Sequence, residues 1–122
     1  MNIKELLSRY IAGQRDFRNL NLIAANLRNM NLTGANLSGS NLSKANLTRT
    51  NLRGANLTDA ILTGANLTET NLTQANLTNA NLSDVNLSQA NLSHAYLRGA
   101  IMPDGIGASF LPNSPKSSLP QD

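Results

Sequence analysis

Residues 41–60 read NLSKA-NLTRT-NLRGA-NLTDA, four successive pentapeptides that place Asn-Leu at the same two positions. The same register runs without a gap from Arg15 to Asp104 and makes eighteen pentapeptides (90 residues divided by 5). Each unit has a small position, an Asn position, a central position and two variable positions. A fixed period of this kind indicates a repeat architecture in which each unit stacks on the last.

The central position is bulky and apolar in every unit. A period of five matches neither an α-helix nor a straight strand, so neither could bury all these residues on one face. A chain that turns a corner once per pentapeptide points every central residue at a common axis, and four such sides close a coil of 20 residues. The small position is Ala in eleven of eighteen units and must also face inward. The central residues are Phe17, Leu22, Leu27, Leu32, Leu37, Leu42, Leu47, Leu52, Leu57, Leu62, Leu67, Leu72, Leu77, Leu82, Leu87, Leu92, Leu97 and Met102.

The order of small residue, Asn, Leu and two variable residues resembles the pentapeptide-repeat family over about three quarters of the chain. The resemblance implies an all-β solenoid, a right-handed quadrilateral β-helix of about four and a half coils. The central and small positions would lie inside and the other three outside, and coils spaced by about 4.8 Å would give a rod of roughly 22 Å. The segments 1–7 and 99–105 also resemble the opening and ending of cyanobacterial members of the family.

Two local expectations concern the Asn side chains, which stack at intervals of 20 residues, and the glycines at the turns. Asn side chains could form amide ladders along the stack, as they do in other repeating β structures. Five glycines lie at the second variable position, where a turn would use their freedom to adopt a positive φ. These glycines are Gly34, Gly39, Gly54, Gly64 and Gly99.

The N-terminal residues 1–14 change to a helical period. Ile3, Leu6, Leu7, Tyr10 and Ile11 make one apolar face of a helix. Asn2 is placed to cap it, with Glu5 in the capping-box position, and Gly13 suits its end. We predict that this helix covers the open first coil; the alternative, a membrane-surface helix, would need more basic residues.

The predicted domain organisation is a capping helix over 1–14, a β-helix over 15–104 and a C-terminal cap or loose tail over 105–122. Pro103-Asp104-Gly105 is a turn signal that ends the repeat. Ile106, Phe110 and Leu111 could fold back over the last coil.

Composition limits the location and the chemistry. The chain contains no cysteine, which excludes disulfides and thiolate metal sites and is compatible with a reducing compartment. The charged N-terminus does not have the pattern of a secretory signal, and no stretch has the length and apolarity of a membrane span. We expect a soluble, cytoplasmic protein that makes no membrane contact.

The net charge of +3 is unevenly distributed. Residues 15–58 carry six basic side chains against Asp16, a net +5, and residues 59–104 carry Arg98 against four acidic side chains, a net −3. Because a solenoid keeps sequence order along its axis, the rod should have a basic and an acidic half. The basic half supplies a candidate partner surface for an acidic protein, which consists of Arg18, Arg28, Lys44, Arg49 and Arg53.

Catalysis is not expected. The single histidine, His94, falls at an outward position. Its column, the stack of residues at intervals of 20, contains no carboxylate. The sequence contains no phosphate loop, metal-ligand spacing or nucleophile motif, and a filled solenoid leaves no internal pocket. We therefore expect neither enzyme activity nor a cofactor nor a metal, and favour a protein-interaction or scaffold role with an unidentified protein partner.

Three other binding functions fit the sequence less well. The family resemblance implies one alternative, modulation of a type II topoisomerase such as gyrase by mimicry of DNA. That mechanism needs an acidic rod, and here only the upper half is acidic. Direct nucleic-acid binding is disfavoured because no aromatic residues accompany the basic ones, and Arg49 is in register with Glu69 as an opposite-charge pair. Regular Thr and Ser at the first variable position are more simply explained as exposed β-formers than as an ice-binding array.

Three apolar residues interrupt the Asn position and should face outward. Ile61 lies between Asn41 and Asn81, and we expect it to be isolated and neutral. Tyr96 and Ile101 lie near the last coil, where they could pack under the tail or form an end-to-end homodimer contact. The sequence is thus compatible with a monomer or a weak end-to-end dimer.

Overall fold

The computed structural model describes residues 1–103, and its backbone pairs at intervals of 20 residues. Each side of a coil contributes one parallel bridge at its Asn position, such as Asn46↔Asn66, in place of a longer strand. We number the coils 1 (15–34), 2 (35–54), 3 (55–74), 4 (75–94) and 5 (from 95). Within each coil, side one carries the first pentapeptide, and sides two, three and four carry the next three. The quadrilateral coil expected from the period of five is confirmed.

Hydrogen bonds between coils use three backbone N–H groups of every interior pentapeptide. The Leu47 N–H donates to the Asn66 carbonyl above it at 2.8 Å, and the Asn66 N–H donates back to the Ala45 carbonyl at 2.9 Å. The Arg49 N–H donates to the Thr68 carbonyl at 2.9 Å. This pattern recurs along the rod and holds each coil to the next on all four sides.

The two remaining N–H groups are satisfied locally, one within the unit and one, that of the small position, by the central carbonyl of the preceding unit. The Thr48 N–H donates to Asn46 Oδ1 at 3.1 Å, and the Thr50 N–H closes a turn to the Leu47 carbonyl at 3.0 Å. All five donors of the unit are therefore paired, as buried backbone requires.

The expected amide ladders are not what the Asn side chains form. At the Asn position of every unit from 16 to 91 except Ile61, the side-chain oxygen accepts from the N–H two residues later in the same unit. This Asx-turn geometry is local, so it satisfies a donor that the solenoid would otherwise leave without a partner. The ladder prediction was wrong because the side-chain oxygen at the Asn position accepts from an N–H of its own unit.

The second variable position has a positive φ in every described unit from Asn19 to Gly99, between 56° and 74°. Only this residue of the turn is left-handed, which is the pattern of a type II turn. The positive φ expected for the five glycines is confirmed, and twelve non-glycine residues adopt it as well, including Ala24 and Gln74. The turn places both variable positions at the corners of the rod.

The interior is a stack of central and small side chains. The central residues are almost completely buried except for half-buried Leu87, and the small positions are buried from Ala35 to Ala95. Side four carries the bulkier small residues Met30, Thr50 and Thr70, and the two threonine hydroxyls donate to carbonyls of the coil below. The interior is therefore filled with side chains and its hydroxyls are paired.

Helix α1 (Ile3–Ile11) lies at the first coil. Leu6 is fully buried in the core, and the Tyr10 hydroxyl donates to the Thr33 carbonyl at 2.7 Å. Asn2 caps the helix by accepting from the Glu5 N–H at 2.8 Å. The capping box is only half formed, because the Glu5 carboxylate pairs with Arg9 at 2.7 Å instead of turning back to Asn2.

Gly13, with φ of 100°, follows the C-cap residue Ala12 and terminates the helix, as the sequence predicts. The Gln14 N–H donates to the Arg9 carbonyl and the Gly13 N–H to the Tyr10 carbonyl, which together form a Schellman motif. The predicted cap or tail over 105–122 and the packing of Ile106, Phe110 and Leu111 fall outside the described residues. The three domain boundaries stay predictions.

Candidate functional site: the charged corners of the rod

The five predicted surface residues do not share one face. Arg18 lies at the corner between sides one and two, and Lys44 at the corner between sides two and three. Arg28 and Arg49 lie in successive coils at the corner between sides three and four, and Arg53 lies at the corner between sides four and one. All five are exposed, and side four has Arg28 and Arg49 at one corner and Arg53 at the other.

Arg18 is engaged within its own pentapeptide. Its guanidinium binds the Asp16 carboxylate through two hydrogen bonds of 2.9 and 3.0 Å, and its N–H donates to the same carboxylate. The side-chain hydrogen bond from Arg18 lowers the pKa of Asp16, with the backbone hydrogen bond as the next cause. The same side-chain bond raises the pKa of Arg18. This pairing, which spacing did not reveal, removes Arg18 from the free basic surface.

Arg49 lies between two partners in its own column. Its Nε donates to Asn29 Oδ1 of the coil below at 3.0 Å, and its guanidinium pairs with Glu69 of the coil above at 3.4 Å. The predicted Arg49–Glu69 pair is confirmed. Both side chains are about half exposed, so water screens the pair and it contributes little to stability.

Arg28, Lys44 and Arg53 have side-chain charges without a hydrogen-bond or ion-pair partner in the part of the chain that the structure describes. We call Arg28, Arg49 and Arg53 the arginine surface, since they border the lower half of side four. Gly34 and Gly54 lie at the same corner as Arg53, and a Cβ added at either glycine would meet no atom within 4 Å. The arginine surface thus has guanidinium groups at both corners of side four, with open space around the glycines at one of them.

The remaining titratable residues are dispersed. Asp59, Glu69 and Asp84 lie on sides one, three and two, and His94 is exposed at a corner of side four. Residues 1–103 contain no group of three His, Cys, Asp or Glu side chains that could hold a metal ion. In the same range, no helix has the length and apolarity to cross a membrane.

Comparison with known proteins agrees with this architecture. The family described as "Pentapeptide repeats" matches the chain with eight copies, in residues 16–54, 40–79 and 65–102. The chain belongs to the pentapeptide-repeat family. Pentapeptide-repeat proteins of this kind form right-handed quadrilateral β-helices, so the predicted fold class is confirmed.

Two solved pentapeptide-repeat structures show how far the likeness extends. The chain is 35% identical to alr5209 from Nostoc PCC 7120, with a TM-score of 0.82 over 97% of this chain and 93% of that one. It is 37% identical to Rfr23 from the cyanobacterium Cyanothece 51142, with a TM-score of 0.60 over 74% of this chain and 61% of that one. No curated protein matches the chain. These comparisons establish the family and the fold.

Proposed function

We propose that this pentapeptide-repeat protein is a non-enzymatic interaction module whose arginine surface binds an acidic segment of a partner protein. The observation that carries the proposal is the pair of exposed guanidinium groups of Arg28 and Arg53 at opposite corners of side four, neither of which has a partner among residues 1–103. Guanidinium forks recognise carboxylates through paired hydrogen bonds, which favours an acidic peptide as the ligand.

The geometry of side four supports binding across this face. Gly34 and Gly54 leave open space beside Arg53 at one corner, while Arg28 and Arg49 lie at the other corner. An extended acidic segment could cross side four with carboxylates reaching both corners. Arg49 is already held by Asn29 and Glu69, so its guanidinium is oriented before a partner arrives.

The non-enzymatic part of the proposal rests on what the fold does with its polar groups. The interior hydroxyls of Ser40, Thr50 and Thr70 are bonded to backbone, and the outward titratable residues of the described coils do not converge on a concave site. A catalytic centre needs such convergence. Binding by a rigid surface needs only the charged side chains at the corners of the rod.

The experiment is a pull-down with purified protein from a lysate of the source organism, using two variants of equal net charge. The test variant is Arg28→Glu/Arg49→Glu/Arg53→Glu. The control variant is Arg9→Glu/Arg18→Glu/Arg98→Glu, which makes the same change in charge away from side four. Circular dichroism checks that both variants remain folded.

We expect the wild type and the control variant to retain the same acidic partner, with release at high salt because exposed charges are screened. The test variant should lose it. Equal retention by both variants, or equal loss, would show that position on side four does not matter and would contradict the proposal.

DNA mimicry remains the alternative function, and the surface provides no support for it. The described acidic residues Asp59, Glu69 and Asp84 lie on three different sides, and Glu69 is paired with Arg49. A DNA mimic requires a continuous negative field. A gyrase supercoiling assay distinguishes the two functions, since inhibition that survives the side-four substitutions would favour mimicry.

A further inference from the structure

Side two carries an exposed apolar residue between two opposite charges. Ile61 stands at its Asn position in coil 3 and remains 39% exposed. Lys44 lies one coil below and Asp84 one coil above, both at the second variable position. Neither charge has an ion-pair partner within residues 1–103. Lys44 and Asp84 share one column with Gly64 between them, and Ile61 lies in the neighbouring column of the same side at the height midway between the two charges.

This pattern is complementary to itself. A two-fold axis that lies in the plane of side two, perpendicular to the rod axis and at the level of coil 3, brings two rods face to face and antiparallel. Such an axis keeps each column and inverts the order of the coils. Ile61 then contacts the Ile61 of the second copy. The Lys44 of each copy lies opposite the Asp84 of the other, which gives two such pairs. The basic lower half of each rod faces the acidic upper half of the other.

We propose that side two is a self-association surface, on which a second copy of this chain binds antiparallel with Ile61 at the two-fold axis and Lys44 paired with Asp84 on each side. The ends of the interface are also apolar. Ile23 in coil 1 is 51% exposed and Ile101 in coil 5 is 54% exposed, and the operation brings them to the same end of the pair.

Among residues 1–103, neither side one nor side three has this combination. On side one the same operation would place Asp59 against Asp59 and Arg18 against Arg98, which are like charges. On side three the complementary pair of Arg49 and Glu69 is already formed within one molecule. Within the described coils, side two combines an apolar centre with two opposite charges that have no ion-pair partner.

The size of the surface sets the expected strength. Five coils at about 4.8 Å and a face about three residues wide give a patch well below the ~800 Å² per partner of a standard interface. The dimer should therefore be weak and reversible, and high salt should weaken it further because its orienting contacts are exposed ion pairs. Small side chains such as Thr63 and Ser83 keep the face flat enough for close approach.

Sedimentation velocity over micromolar to millimolar concentrations tests the proposal. The wild type should show a concentration-dependent monomer–dimer equilibrium. Lys44→Glu alone and Asp84→Lys alone should each weaken it about tenfold or more, and the double variant Lys44→Glu/Asp84→Lys should restore it. Arg53→Glu, a charge reversal in the same coil on side four, is the control and should leave the dimer almost unchanged.

Two further variants separate this dimer from misfolding and from an end-to-end pair. Ile61→Asn restores the usual Asn of the repeat, so the rod should fold normally and lose the dimer. With a short bis-maleimide cross-linker, Ile61→Cys should cross-link to itself. Ile101→Cys should not, because its two copies would lie about four coil spacings, roughly 19 Å, apart.

A wild type that stays monomeric at millimolar concentration would overturn the proposal. A dimer that is indifferent to both charge reversals, or that cross-links through position 101 and not through position 61, would also overturn it. The pull-down on the arginine surface involves a different side of the rod, so each proposal can fail without the other.

Discussion

Ser40 donates a hydrogen bond of 2.9 Å from its buried hydroxyl to the carbonyl oxygen of Phe17, 23 residues earlier. The same hydroxyl accepts from the Leu20 N–H at 3.0 Å. In the turns above, the backbone N–H of the residue at the small position donates directly to the preceding central carbonyl, as the Thr50 N–H does to the Leu47 carbonyl. The Ser40 hydroxyl therefore completes the first turn of the rod from the coil above.

Ser40→Ala should lower the free energy of unfolding by about 1–3 kcal/mol, because it leaves the Phe17 carbonyl and the Leu20 N–H without these partners. Chemical denaturation measures the change. Thr70→Val is the control, since the Leu47 carbonyl that Thr70 contacts still accepts from the Thr50 N–H. An equal loss in both variants would mean that the Ser40 bridge has no special role.

The left-handed corners should respond to glycine in a predictable direction. Ala24 has φ of 58°, a conformation that costs an L-residue roughly 1–2 kcal/mol. Ala24→Gly removes that cost but adds about 0.4–1 kcal/mol of unfolded-chain entropy, so stability should rise by about 0.5 kcal/mol. Thermal and denaturant unfolding would measure it, and a loss of stability would contradict the turn assignment.

Gly54→Ala is the reverse experiment at an equivalent corner. The added Cβ meets no atom within 4 Å, so backbone strain at φ of 66° is isolated and should cost about 0.5–1 kcal/mol. Gly39→Ala adds a clash with Asn19 Oδ1, the far end of a flexible side chain. It should cost slightly more than Gly54→Ala. A smaller cost at Gly39 would mean that the Asn19 side chain does not rest on that glycine.

The helix–solenoid junction depends on Leu6, which is fully buried, and not on Ile11, which is 76% exposed. Leu6→Ala should destabilise the protein by about 2–5 kcal/mol and loosen α1 from the first coil, whose open edge would then favour aggregation. Ile11→Ala is the matched control on the same helix and should be nearly neutral. Denaturation and size-exclusion chromatography report both effects, and equal behaviour of the two variants would argue against a capping role.

Arg18→Ala should raise the pKa of Asp16 towards the ordinary value for Asp, because it removes the side-chain hydrogen bond that lowers that pKa. A carboxyl whose pKa is lowered by folding stabilises the fold above its unfolded-state pKa, and that contribution is lost as the pH falls through the folded-state pKa. An NMR titration of the Asp16 carboxyl carbon follows the shift. An unchanged titration in the variant would show that Arg18 is not its cause.

The period of five determines most of the architecture in advance, because a central Leu every fifth residue can be buried only by a chain that turns at each unit. The positions of Arg28 and Arg53 at the edges of side four follow from that register. The Asn side chains and Arg18 were not predictable in the same way. Their partners lie two residues away, and local side-chain geometry competes there with contacts 20 residues away that the repeat itself suggests. Ser40 is a similar case, because its role depends on which turn lies beneath it.

The most direct test of the proposed function is an NMR map of the binding surface. The partner captured in the pull-down, or its acidic segment, is added to the ¹⁵N-labelled protein, and amide shift changes are followed residue by residue. The interaction-module account predicts the largest changes around Arg28, Gly34, Arg53 and Gly54, on side four. Largest changes on side one, or around Ile61 on side two, would contradict it.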